Sequence, residues 1–128
     1  MFSYVTLGTD DIDRARAFYD AALGALGIPR VAGYDDARSS AWGADDPGPH
    51  LWVTRPFDGR PATPGNGTMP ALLAATRAQI EAFHAAALAN GGRCEGPPAL
   101  RPQYGPTFFA AYVRDPDGNK LAAVCYTG

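Results

Sequence analysis

Residues 4–27, YVTLGTDDIDRARAFYDAALGALG, and residues 69–92, MPALLAATRAQIEAFHAAALANGG, are two copies of one pattern set 65 positions apart. Leu7 falls on Leu72, Ala17-Phe18 on Ala82-Phe83, Ala21-Ala22-Leu23 on Ala86-Ala87-Leu88, and Gly27 on Gly92. Alanine-rich helices can match by accident. Here a strand, a helix and a terminating glycine keep one register together, which marks a duplicated structural unit.

Each copy reads as a strand followed by a helix. Phe2 to Gly8 alternates, with Val5 and Leu7 on one face and Phe2, Tyr4 and Thr6 on the other. Asp10 is the expected N-cap of the helix, and Asp13 offsets its dipole. Ile12, Ala15, Phe18, Ala22 and Leu26 form its apolar stripe, with Gly27 and Pro29 as the stop. In the second copy Met69 to Ala75 is the strand, and Thr76-Arg77-Ala78-Gln79 is a capping box. Ile80, Phe83, Ala87 and Leu88 then make the stripe, and Asn90-Gly91-Gly92 ends it.

Three strand-like segments follow each helix, over 30–34, 37–43 and 49–54 in the first half and 92–96, 107–114 and 119–126 in the second. The last two are joined by Asp115-Pro116-Asp117-Gly118-Asn119, where proline sets φ and glycine accepts a positive φ. The order is therefore βαβββ twice. A ferredoxin-like βαββαβ arrangement would leave a strand in each half unassigned. The expected organisation is a single domain over 1–128, with module one at 1–54, a proline- and glycine-rich linker at 55–67 and module two at 68–128.

Hydrophobic residues make up 46% of the 128, which excludes a disordered chain. The formal charge is −2, and Arg14, Arg16, Arg30, Arg38, Arg55 and Arg60 are scattered along the sequence. Without a basic stripe, nucleic acid is not an expected partner. No apolar run reaches the roughly 20 residues that cross a bilayer, so no membrane partner is expected. The opening residues lack a cationic segment followed by an apolar one, and the expected location is the cytoplasm. Cys94 and Cys125 lie outside any CxxC spacing and are expected to be reduced thiols.

The duplicated βαβββ order, the opening Val5-Thr6-Leu7-Gly8, the helical Arg16-Ala17-Phe18-Tyr19 and above all the turn from Asp115 to Asn119 resemble the vicinal oxygen chelate superfamily. That superfamily contains glyoxalase I, bleomycin-resistance proteins, fosfomycin-resistance enzymes and extradiol dioxygenases. The resemblance implies an α+β fold, the glyoxalase/bleomycin-resistance/dioxygenase fold, in which two βαβββ modules form curled half-barrel sheets around a cavity. It also implies a homodimer, and metal ligands on the first and last strands of each module. The positions of this chain that match those ligands are Tyr4, Trp52, Met69 and Ala122. Methionine and alanine offer neither oxygen nor imidazole, and a neutral tyrosine is a poor ligand near pH 7. The expectation is no metal and no cofactor, with an apolar, aromatic floor suited to a small organic ligand in its place.

Other candidates are weaker. His50 shares the alternation of Trp52 and is a catalytic candidate, as a general base or an orienting donor. His84 matches Tyr19 in the repeat and reads as a packing position. In the proline-braced loop Arg101 to Phe108, Arg101 could grip a carboxylate or phosphate and Tyr104 supply a hydroxyl. Phe108, Ala110 and Tyr112 share one face of their strand and Phe109, Ala111 and Val113 the other. The sequence leaves open which set faces the cavity. The expected pocket thus comprises Tyr4, His50, Trp52, Met69, Arg101, Tyr104, Phe108 and Ala122. The first functional expectation is a metal-free protein that binds an apolar or aromatic small molecule. The alternative is a glyoxalase-type lyase or isomerase, or a dioxygenase, with a displaced metal site or with acid–base catalysis by His50, Tyr4 or Tyr104.

Overall fold

The computed structural model describes all 128 residues. The two helices, α1 (Ile12–Gly24) and α2 (Arg77–Ala89), have equal length and start 65 positions apart, the offset of the sequence repeat. Their caps are also equivalent. Asp11 Oδ1 accepts from Arg14 N at 3.0 Å, and Thr76 Oγ1 accepts from Gln79 N at 3.2 Å. Gln79 completes the second cap by accepting from Ala75 N. The cap expected at Asp10 is therefore corrected by one residue. Asp10 instead accepts from Ala62 N at 2.7 Å and ties the linker to the start of α1. Helix α1 ends at Gly24, earlier than Gly27. The Ile28 amide folds back onto Leu23 O, and Gly27 takes the left-handed φ of 75° that this return requires.

Strands β1 (Tyr4–Gly8), β2 (Ser39–Gly43) and β3 (His50–Thr54) form one sheet in the order β1-β3-β2, with β1 parallel to β3. Strands β4 (Ala71–Leu73), β5 (Arg93–Leu100), β6 (Phe109–Arg114) and β7 (Lys120–Cys125) form the second, in the order β4-β7-β6-β5, again with first and last strands parallel. The βαβββ order holds in full in the second half. In the first half the strand expected over 30–34 is reduced to a single bridge between Arg30 and Trp42, after which Ala32–Tyr34 turn into a short 3₁₀ helix.

The expected curled half-barrels are absent. Both sheets are open, with free edges at β1 and β2 in one and at β4 and β5 in the other. In the first sheet the reason is width: three strands of five residues, with the fourth cut to one pair, cannot wrap a cavity. Each sheet instead lays one face on the helices, and α1 and α2 pack against each other. One core of 19 buried residues results. It joins Leu7, Leu51, Val53 and Trp42 of the first sheet through Phe18, Tyr19 and Phe83 to Ala111, Val113, Leu121 and Ala123 of the second. Full burial of a side chain such as Phe18 or Leu23 stabilises by about 1.5–3 kcal/mol relative to exposure.

The Asp115–Asn119 turn is the clasp between the halves. The Asp115 carboxylate is buried and accepts four hydrogen bonds, from the amides of Asp117 and Asn119, from Asn119 Nδ2, and from the Tyr19 hydroxyl of α1 at 2.6 Å. Asp117 takes the Thr9 hydroxyl, the Asp10 amide and Arg14, while Asn119 Nδ2 also reaches Gly8 O. Burial raises the Asp115 carboxyl above its ordinary range, against the pull of the Tyr19 and Asn119 hydrogen bonds, and burial raises the Tyr19 phenol well above its own.

Candidate functional site

With Leu51 and Val53 in the core, the pleat turns the neighbouring side chains of β3 to the open face of the first sheet. Tyr4 pairs with His50, Thr6 with Trp52 and Ser39 with Thr54. Tyr4, Thr6, Ser39, Trp52 and Thr54 line a groove of about 330 Å³. Tyr34, which does not itself line the groove, stacks its ring on Trp52 at 5.3 Å and stands edge-on to His50 at 5.5 Å. Its hydroxyl donates to Asp46, which raises the phenol above its ordinary value. The result is an aromatic wall above a rim of hydroxyls.

His50 is buried, and its Nε2 lies 2.8 Å from Ala44 O, the geometry of a ring N–H that holds the 44–49 loop. The sequence pattern reads 30–34 as a strand and so does not bring Tyr34 to Trp52. The Gly33 before Tyr34 and the Asp35-Asp36 pair after it were the available turn signals.

The remaining expected pocket residues gather on the second sheet. Phe109, Ala111 and Val113 face the helices and the main core, and Phe108, Ala110 and Tyr112 take the opposite face. Ala122 is buried with Ala110 and Val124 beneath Phe108 and Tyr112. The Arg101 guanidinium stacks over the Tyr112 ring at 5.4 Å and also donates to Pro97 O. Tyr104, Phe108 and Tyr126 form an edge-to-face row, while Met69 lies exposed just before β4. The groove on the first sheet is lined by none of these five residues.

The model of the Glyoxalase/Bleomycin resistance protein/Dioxygenase superfamily matches residues 2–123. The chain belongs to that superfamily. Among solved structures, a glyoxalase/bleomycin resistance protein from Albidiferax ferrireducens T118 is 40% identical, with 99% of each chain covered and a TM-score of 0.86. A glyoxalase-related enzyme from Fulvimarina pelagi is 20% identical, covering 98% of this chain and 87% of its own, with a TM-score of 0.75. A lactoylglutathione lyase from Agrobacterium tumefaciens is 19% identical, covering 98% of this chain and 92% of its own, with a TM-score of 0.66. The last two likenesses concern the fold alone. No curated protein is similar enough to match.

The residues of this superfamily member do not fit the metal its fold implies. Tyr4 and Trp52 lie on one open face and Ala122 on another, and no group of three or more His, Cys, Asp or Glu side chains is placed to hold an ion. No helix is long and apolar enough to cross a membrane.

Proposed function

We propose that this superfamily member binds a flat apolar or aromatic small molecule in the groove of its first sheet, without a resident metal. The observation that carries this reading is Trp52, its ring backed by Tyr34, in a groove whose other lining residues, Tyr4, Thr6, Ser39 and Thr54, all carry hydroxyls. Aromatic faces hold a planar ring by offset or edge contacts, and the rim hydroxyls select its polar substituents. His50 then braces the wall, and is not a group that takes a proton from the ligand. Arg101, Tyr104, Phe108, Met69 and Ala122 belong to this reading through a homodimer, which would cover Leu73 and Leu100, exposed on the second sheet. A cytoplasmic location suits two unpaired cysteines, one exposed and one buried.

The test is a thermal-shift screen of aromatic compounds, followed by calorimetry on the best ligand with Trp52→Ala. Loss of the stacked ring should weaken binding at least tenfold, or about 1.4 kcal/mol. Metal analysis by mass spectrometry on protein without a polyhistidine tag should find no stoichiometric ion. A stoichiometric metal, or turnover of the methylglyoxal–glutathione adduct, would move the assignment to a glyoxalase-type enzyme, since the fold itself does not choose the chemistry.

A further inference from the structure

Just beyond the groove, at the ends of the same strands, a second cavity of about 220 Å³ has no hydrophobic lining residue. Its wall is Thr9 and Asp10 at the end of β1, Arg38 before β2, Arg55 after β3, and Pro56 with Gly59-Arg60-Pro61 from the linker. Arg38 and Arg55 are adjacent because the ladder continues past the strand ends, with Arg55 N donating to Arg38 O at 2.9 Å. The linker brings Arg60 to them by a turn in which Gly59 N bonds Pro56 O, and Asp10 holds the following Ala62.

These three guanidiniums differ from most others in the chain. Arg14, Arg16, Arg30 and Arg114 each pair with a carboxylate, and Arg77 and Arg101 lie over aromatic rings. Arg38, Arg55 and Arg60 have neither kind of partner. Arg38 uses one nitrogen to bond Pro56 O at 3.0 Å, and the Arg55 and Arg60 side chains make no hydrogen bond within the chain. The nearby carboxylates are held by backbone amides and not by these guanidiniums: Asp10 by Ala62 N, Asp36 by the amides of Arg38 and Ser39, and Asp58 by Arg60 N. Among the residues that line the cavity, three guanidiniums stand against one carboxylate, in a chain whose net charge is −2.

We propose that this cavity binds a phosphate group, either as the free ion or as a monoester of a small uncharged molecule. Guanidinium forks match phosphate oxygens in pairs, and three arginines line this one volume. That volume lies below the roughly 300–1,000 Å³ of sites for drug-sized ligands, which suits a small anionic group. The site is independent of the aromatic groove. Its lining shares no residue with the groove, so Trp52→Ala should leave it intact.

Calorimetric titration of the full chain with inorganic phosphate, and separately with glycerol phosphate, at fixed ionic strength tests it. Saturable binding of one phosphate per chain is expected, weakened at least tenfold in the Arg55→Gln/Arg60→Gln double variant and unchanged in Arg93→Gln, an exposed arginine elsewhere. Tighter binding of glycerol phosphate would point to a monoester, and equal binding to the free ion. Circular dichroism should show the double variant folded, since both side chains are exposed. Equal heats from chloride and phosphate would overturn the proposal, as would undiminished phosphate affinity in the folded double variant or an equal loss in Arg93→Gln.

Discussion

Gly27 and Gly92 occupy the same place in the two halves, one helix-length after equivalent caps, yet the fold needs them for different reasons. Gly27 has a φ of +75° and open space where a Cβ would stand. Gly92 has no positive φ, but a Cβ there would lie 2.7 Å from Ala87 O, 2.7 Å from the Phe18 ring and 2.8 Å from Arg114 O. The first glycine permits a turn. The second permits α1, α2 and β6 to meet. A repeated residue in a duplicated chain therefore need not carry a repeated role, because each copy is surrounded by the other and by its own strands.

The largest effect should come from breaking this pair. Gly27→Ala is expected to cost about 1–2 kcal/mol, the strain of a left-handed alanine. Gly92→Ala must displace two backbone carbonyls and a core ring, and should cost well over about 3 kcal/mol or prevent folding. Urea unfolding of both variants decides it, and equal losses would show that the close approach at Gly92 relaxes freely.

The turns before the last strand of each half differ in the same way. Asp115 is buried and takes four donors, whereas Asp46 in the first half takes only the exposed Tyr34 hydroxyl. Asp115→Ala leaves buried donors without acceptors, at about 1–3 kcal/mol each, so a loss of about 3 kcal/mol or more is expected. Asp46→Ala should leave the melting temperature nearly unchanged. Comparable shifts in the two would mean that the second turn is not the clasp between the halves.

Tyr19 and His84 give the smallest contrast. Tyr19 has Asp115 as its acceptor, but the turn of the first half does not reach α2, and the shielded His84 Nε2 has no partner. Burial lowers the His84 pKa from its ordinary value. A depressed folded pKa means that this contribution is present above the unfolded value, about 6.5, and is lost as pH falls through the folded one. His84→Leu should therefore gain more in melting temperature over the parent protein at pH 5 than at pH 8. A constant difference across that range would remove the titration from the account.

The sequence by itself determined the two copies, their register and their helix caps to within a residue, because periodicity and capping are local. It also identified the alternation that turns Trp52 and His50 away from the core. Four features were decided only by tertiary structure. The curl of the sheets was one, since it depends on how many strands pair and how long they are. Tyr34 was another, placed on Trp52 only because the chain leaves the sheet edge at Ala32. The clasp joins residues about a hundred positions apart. The gathering of Arg38, Arg55 and Arg60 was the last. Along the chain those three arginines are scattered, and only the paired ends of β2 and β3 and the returning linker bring their charges to one place, because the ladder sets distance in space without regard to separation in sequence.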